Sequence, residues 1–285
     1  MFSKLLKHEW KGNWRLMSIL TLAAFGVALL GTIALRVLTN YGDAITQSES
    51  VLVLLLFPLS TLVFVSYMGI AVYVAAVGFV LMYRFYKHKF TDEGYLTFTL
   101  PVKTNHIFLS SGLNIVIWTV ISILVMFLMY AMMLLCGTAQ EGLFNDDILK
   151  AFSSLGIFLD GIGEDLTEVM GVGFVPLVIL NILVVPFFSA VISMTCVTLG
   201  AVIAKKHKIL AIVGITYGVN MVLSILLSVV TYLPLFIAAI IDPNMESPML
   251  YITLTLILTF LLQAGITVGG YFLSTGLMKN KLNLP

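Results

Sequence analysis

Charge is what this chain most lacks. Of its 285 residues only 14 are acidic and 15 basic, 10% together, while 60% are hydrophobic. Soluble domains carry about 25% charged residues, so the composition excludes an ordinary water-facing surface. The apolar runs follow one another with short connections, which favours a single integral membrane domain over residues 1–285. Ionisable residues are also missing from the middle of every apolar run. A charge at mid-bilayer costs at least about 2.5–3.5 kcal/mol and is kept mainly for function. Its absence argues against a proton antiporter or an ion-gated carrier, although a sodium site built from carbonyls stays open.

Cysteine and histidine are rare as well. Cys136 and Cys196 fall near opposite bilayer faces on the topology below, which disfavours a disulfide between them. None of His8, His88, His106 and His207 stands at ligand spacing from another His or Cys, so no metal site is implied. Catalytic signatures fail in turn. The chain has no Gly-Lys pair, hence no P-loop, and no H-E-x-x-H: after His8-Glu9 the second His would fall at Gly12. G-x-S-x-G is absent too, as is an intramembrane aspartate pair. Neither catalysis nor cofactor binding by this chain alone is expected, and no nucleic-acid partner.

What is present reads as six spans. Residues 1–15, MFSKLLKHEWKGNWR, put Lys4, Lys7, His8, Lys11 and Arg15 on one helical stripe and Phe2, Leu6, Trp10, Trp14 and Met17 on another. That pattern predicts an amphipathic helix in the membrane plane, cations toward headgroups and tryptophans at the boundary. The following run is too long for a signal-peptide core and no A-x-A site follows it. Spans are expected at about 16–37, 51–82, 107–136, 174–204, 209–230 and 249–278. Pro58 suggests a break near the outer surface, and Pro176 and Pro186 kinks in the fourth span. Thr231 to Ile241 is too short to cross, so it is expected to re-enter the outer leaflet or lie obliquely.

Residues 137–173 hold seven acids against Lys150 alone and read as an acidic outer segment, with a short surface helix around Ile148 to Leu159. With both termini inside, 13 of the 15 basic residues, all but Arg36 and Lys150, lie on the cytoplasmic side, and 11 of the 14 acids lie outside. The positive-inside rule therefore sets both termini in the cytoplasm. Within the spans the polar groups are uncharged: Asn114, Asn181, Asn220 and Gln263. Interhelical hydrogen bonding is their ordinary use. Asn220, Gln263 and Asn181 are also the candidates for lining a substrate path. Gly214-x-x-x-Gly218 and Gly265-x-x-x-Gly269 would let helices approach closely.

Between the second and third spans, Thr91 is a good N-cap, and Asp92 and Glu93 sit in the first turn that follows, where they favour the helix dipole. Gly94, Tyr95, Leu96, Thr97 and Phe98 continue to the break at Leu100-Pro101. The result is a short helix with an acidic, aromatic surface, suited to a groove on a partner. The run FTDEGYLTFTLPVKTNHIFLSS, residues 90–111, resembles the segment joining spans two and three in permeases of type-2 ABC exporters, especially small bacterial ones. The resemblance extends over most of the chain as architecture.

It implies an all-α integral membrane protein with six transmembrane helices. An N-terminal interfacial helix and a cytoplasmic coupling helix would accompany them. It further implies docking of a separate ATPase subunit, which carries ATP and Mg, on Thr91, Asp92, Glu93, Tyr95, Leu96 and Phe98, supported by Lys87 and Lys89. A second permease subunit, identical or homologous, and a bacterial plasma membrane complete the implied assembly. The large outer segment here follows the third span, whereas family elaborations more often precede the sixth. The cargo (peptide, drug or lipid-like) is therefore not assigned. The other reading is a motorless secondary carrier, or a scaffold whose acidic outer segment binds a partner.

Overall fold

The computed structural model describes residues 2–47, 56–91, 94, 104–138, 174–204, 206–241 and 248–280, and all regular structure among them is helical. The six long helices are α1 (Phe2–Gln47), α2 (Leu56–Phe90), α3 (Thr104–Thr138), α4 (Phe174–Ile203), α5 (Lys208–Ile241) and α6 (Pro248–Asn280). Each is long and apolar enough to cross a membrane. Their outward faces carry large apolar side chains, such as Leu22 at 77% and Leu210 at 77% exposure. Only lipid makes such a surface stable, and the chain is a multi-pass membrane protein.

The helix ends differ from the expected spans for local reasons. Residues 2–15 are not a helix of their own but the first turns of α1, which runs unbroken for 46 residues. No proline or capping pair interrupts the chain at Arg15-Leu16, so helical hydrogen bonding simply continues. At about 1.5 Å per residue α1 is about 70 Å long, more than twice a bilayer core. Part of its amphipathic face is used for packing: Trp10 is stacked on Trp118 at 4.7 Å and 19° and Met17 is fully buried, while Trp14 beside them stays exposed.

Pro58 lies in the first turn of α2, where a missing N–H costs nothing, and α2 then continues past Met82 to Phe90. Pro186 and Pro234 sit inside α4 and α5. Thr231 to Ile241 is the last part of α5 and not a separate re-entrant segment. Proline's fixed φ is helical, so a single lost bond does not reverse the chain. Pro248 begins α6, where proline is well tolerated. The acidic cluster and the surface helix expected within 139–173 lie outside the described residues.

The chain packs as two compact units. One comprises Trp10–Phe79 and Ile117–Ile162. In it small residues bring α1, α2 and α3 together: a Cβ on Gly31 would lie 2.4 Å from Ser66 Cβ and 2.9 Å from Met133 Cε. Thr21 Oγ1 meets Tyr73 Oη at 3.0 Å, and Tyr130 Oη donates to the Tyr67 carbonyl at 3.1 Å. The other unit comprises Met1–Glu9, Val80–Val116 and Gly163–Pro285, with α4, α5 and α6 packed against one another. The tight α4–α5 connection closes because Gly200 has no side chain; a Cβ there would lie 2.8 Å from Ile212 Cα.

Candidate functional site

The second unit holds a polar cluster where the end of α2, the start of α3 and the first turns of α1 meet. The last turn of α2 is basic, Lys87, His88 and Lys89, which suits the negative end of a helix dipole. Lys87 points outward, but Lys89 is 3% exposed. Its Nζ lies 2.9 Å from Glu9 Oε1 on α1. Ser111 Oγ, on α3, donates to the same oxygen at 2.7 Å. One carboxylate oxygen thus accepts from two helices at once, the charge-assisted geometry that makes such bonds short and strong. A desolvated charge needs a partner of this kind, and removing either member would strand the other.

Aromatic contacts run through the same region. Phe85 meets Phe90 edge-on at 5.9 Å and Phe108 at 6.5 Å, and Phe108 meets Tyr271 of α6 at 5.5 Å. Phe108 is 2% exposed. One turn beyond Ser111, Asn114 is buried and its Oδ1 has no hydrogen-bond partner among the described residues.

Beyond Phe90 the chain turns back onto α2. The Thr91 hydroxyl donates to the Lys87 carbonyl, and Gly94 N–H donates to the Thr91 carbonyl at 2.7 Å. A Cβ on Gly94 would lie 2.5 Å from the Lys89 carbonyl oxygen and 2.7 Å from its carbon. Only glycine permits that approach, so Gly94 seats the turn directly on the Lys89 backbone. Of the expected docking residues, Asp92, Glu93, Tyr95, Leu96 and Phe98 lie outside the described residues. Lys89, expected to support a partner contact, is instead turned into the chain.

Among the described residues no hydrogen bond links the three polar candidates for a substrate path to one another. Asn181 joins α4 to α6: its Nδ2 donates to the Leu256 carbonyl at 3.2 Å, and Thr259 Oγ1 donates to its Oδ1 at 3.2 Å. Asn220 lies on the exposed face of α5 and donates to the Thr216 carbonyl of its own helix at 2.8 Å. Gln263 has a buried Oε1 with no partner among the described residues. A second α4–α6 link, Ser274 Oγ donating to Thr195 Oγ1 at 2.9 Å, was not foreseen from sequence.

Glu9 and Ser111 were not singled out either. A signal for Glu9 existed: it is the only acid before Asp43, set among lysines and tryptophans. Ser111 had none, because serines in apolar helices usually bond to their own backbone. Compared with family models, with curated proteins and with solved structures, the chain matches none.

Proposed function

We propose that this chain is the transmembrane subunit of an ATP-driven exporter resembling the small bacterial type-2 ABC kind. Two such subunits, identical or homologous, recruit ATPase subunits that hold ATP and Mg, and both termini lie in the cytoplasm. ATP-driven closure of the ATPases is received by a coupling helix over residues 91–98 and by the N-terminal helical turns, and passed into the spans. The observation that carries the reading is the turn at Thr91 to Gly94. It follows directly on a long apolar helix, bears the acidic pair Asp92-Glu93 by sequence, and is seated on the Lys89 backbone without a side chain between. A displacement applied to a turn held this closely is carried into α2 with little loss. Lys89 acts here from within, as a support, and the docking contacts are Asp92, Glu93, Tyr95, Leu96 and Phe98, with Lys87 beside them.

Purification of the tagged protein from its host in mild detergent tests this reading. A stoichiometric companion with a P-loop is expected, and Asp92→Lys with Glu93→Lys should release it while membrane insertion stays normal. A companion without a nucleotide site, or none, would replace the motor reading with the scaffold or carrier.

A further inference from the structure

The contacts around Lys89 form a continuous mechanical path. Its backbone carbonyl lies under Gly94, and its side chain reaches Glu9, a residue 102 positions from Ser111, which shares the same oxygen. One residue therefore touches the turn with its main chain and the first turns of α1 with its ammonium. The ammonium is buried, so parting it from Glu9 costs the desolvated charge its partner. Such a contact resists separation. Glu9 belongs to α1, which is helical without a break from Phe2 to Gln47. The outer side of this segment is free for other contacts, since Lys4, Lys7, Lys11 and Arg15 are all exposed.

We propose that Glu9, Lys89 and Ser111 form a latch that makes the N-terminal turns of α1 move with the turn at Thr91 to Gly94. A displacement of the loop is then delivered to α1 as well as to α2 and α3. The source of that displacement rests on the motor reading above; the latch itself rests on the contacts just described. All three are positioning residues, and none touches a ligand in this scheme.

Hydrogen exchange of the full chain in lipid nanodiscs, followed by mass spectrometry, separates the two. For the chain alone, Glu9→Lys and Lys89→Glu should each raise exchange in residues 2–15 by about tenfold, and the double exchange should bring it back to within about threefold of the native rate. Glu9→Gln and Ser111→Ala serve the same purpose if a reversal prevents insertion, with smaller rises expected. Unchanged exchange in the single variants, or no recovery in the inserted double variant, overturns the latch whether or not an ATPase exists.

With the companion ATPase bound, Mg-ATP should alter exchange in residues 84–91 and in residues 2–15 of the native chain. In Glu9→Gln the response at 84–91 should persist and that at 2–15 should fall to about a third or less. A full response at 2–15 in that variant overturns the transmission role. No response at either place in the native chain counts against the motor reading and not against the latch.

Discussion

At the scale of single residues, polar groups in hydrocarbon matter according to what they touch. Asn181 makes bonds to two groups of another helix, whereas Asn220 makes its bond within its own helix on an exposed face. Interhelical hydrogen bonds in membranes contribute about 0.6 kcal/mol on average and up to about 1.7. Asn181→Leu should therefore lower the unfolding free energy of the full chain by about 1–2 kcal/mol, and Asn220→Leu should leave it within about 0.5. Denaturant titration in one detergent checks both, and equal losses would contradict the α4–α6 clamp. From sequence the two asparagines looked alike, because each is a lone amide in an apolar run. Their difference is one of neighbours, which lie 75 and 78 residues away for Asn181.

At the scale of helices, glycine divides into two kinds here. Gly31, Gly137 and Gly200 are closed against neighbours, while Gly214, Gly218, Gly265 and Gly269 have nothing within 4 Å of an added Cβ. Among the described residues the two Gly-x-x-x-Gly patterns thus make no close approach. Gly200→Ala should cost about 1–3 kcal/mol, since the obstacle is the Ile212 backbone and cannot rotate away. Gly214→Ala should be neutral or gain up to about 1 kcal/mol from helix propensity alone. Thermal unfolding of the two variants in the same detergent distinguishes them. A stable Gly214→Ala protein that had lost activity would place a contact from outside the chain on that face.

The helix ends teach the same lesson in another form. Apolar length located all six helices, because burial in lipid depends on local composition. It did not find that residues 2–15 and the first span are one helix, or that α2 runs on to Phe90, because tertiary packing supports helix beyond the apolar window.

For the whole molecule the testable property is sidedness. In a background with Cys136 and Cys196 replaced, Lys4→Cys and Lys279→Cys should react with a membrane-impermeant maleimide only in inside-out vesicles. Lys150→Cys should react only in right-side-out ones. The expectation follows from 13 of 15 basic residues falling on one side of a six-span chain. Labelling of Lys4→Cys and Lys279→Cys from opposite sides would mean an odd number of crossings and would undo the proposed topology.

By itself the sequence determined that this is a multi-pass helical membrane protein, where its six long helices lie, and which of its loops carry charge. Each of these depends on composition within a window of about 20 residues, the length that crosses a bilayer. Only the tertiary structure decided that Lys89 faces inward, that Glu9 and Ser111 hold it, and that Trp10 stacks on Trp118 of α3. Those outcomes join residues about a hundred positions apart. A charged side chain leaves water only for a specific partner, and packing alone brings that partner within reach.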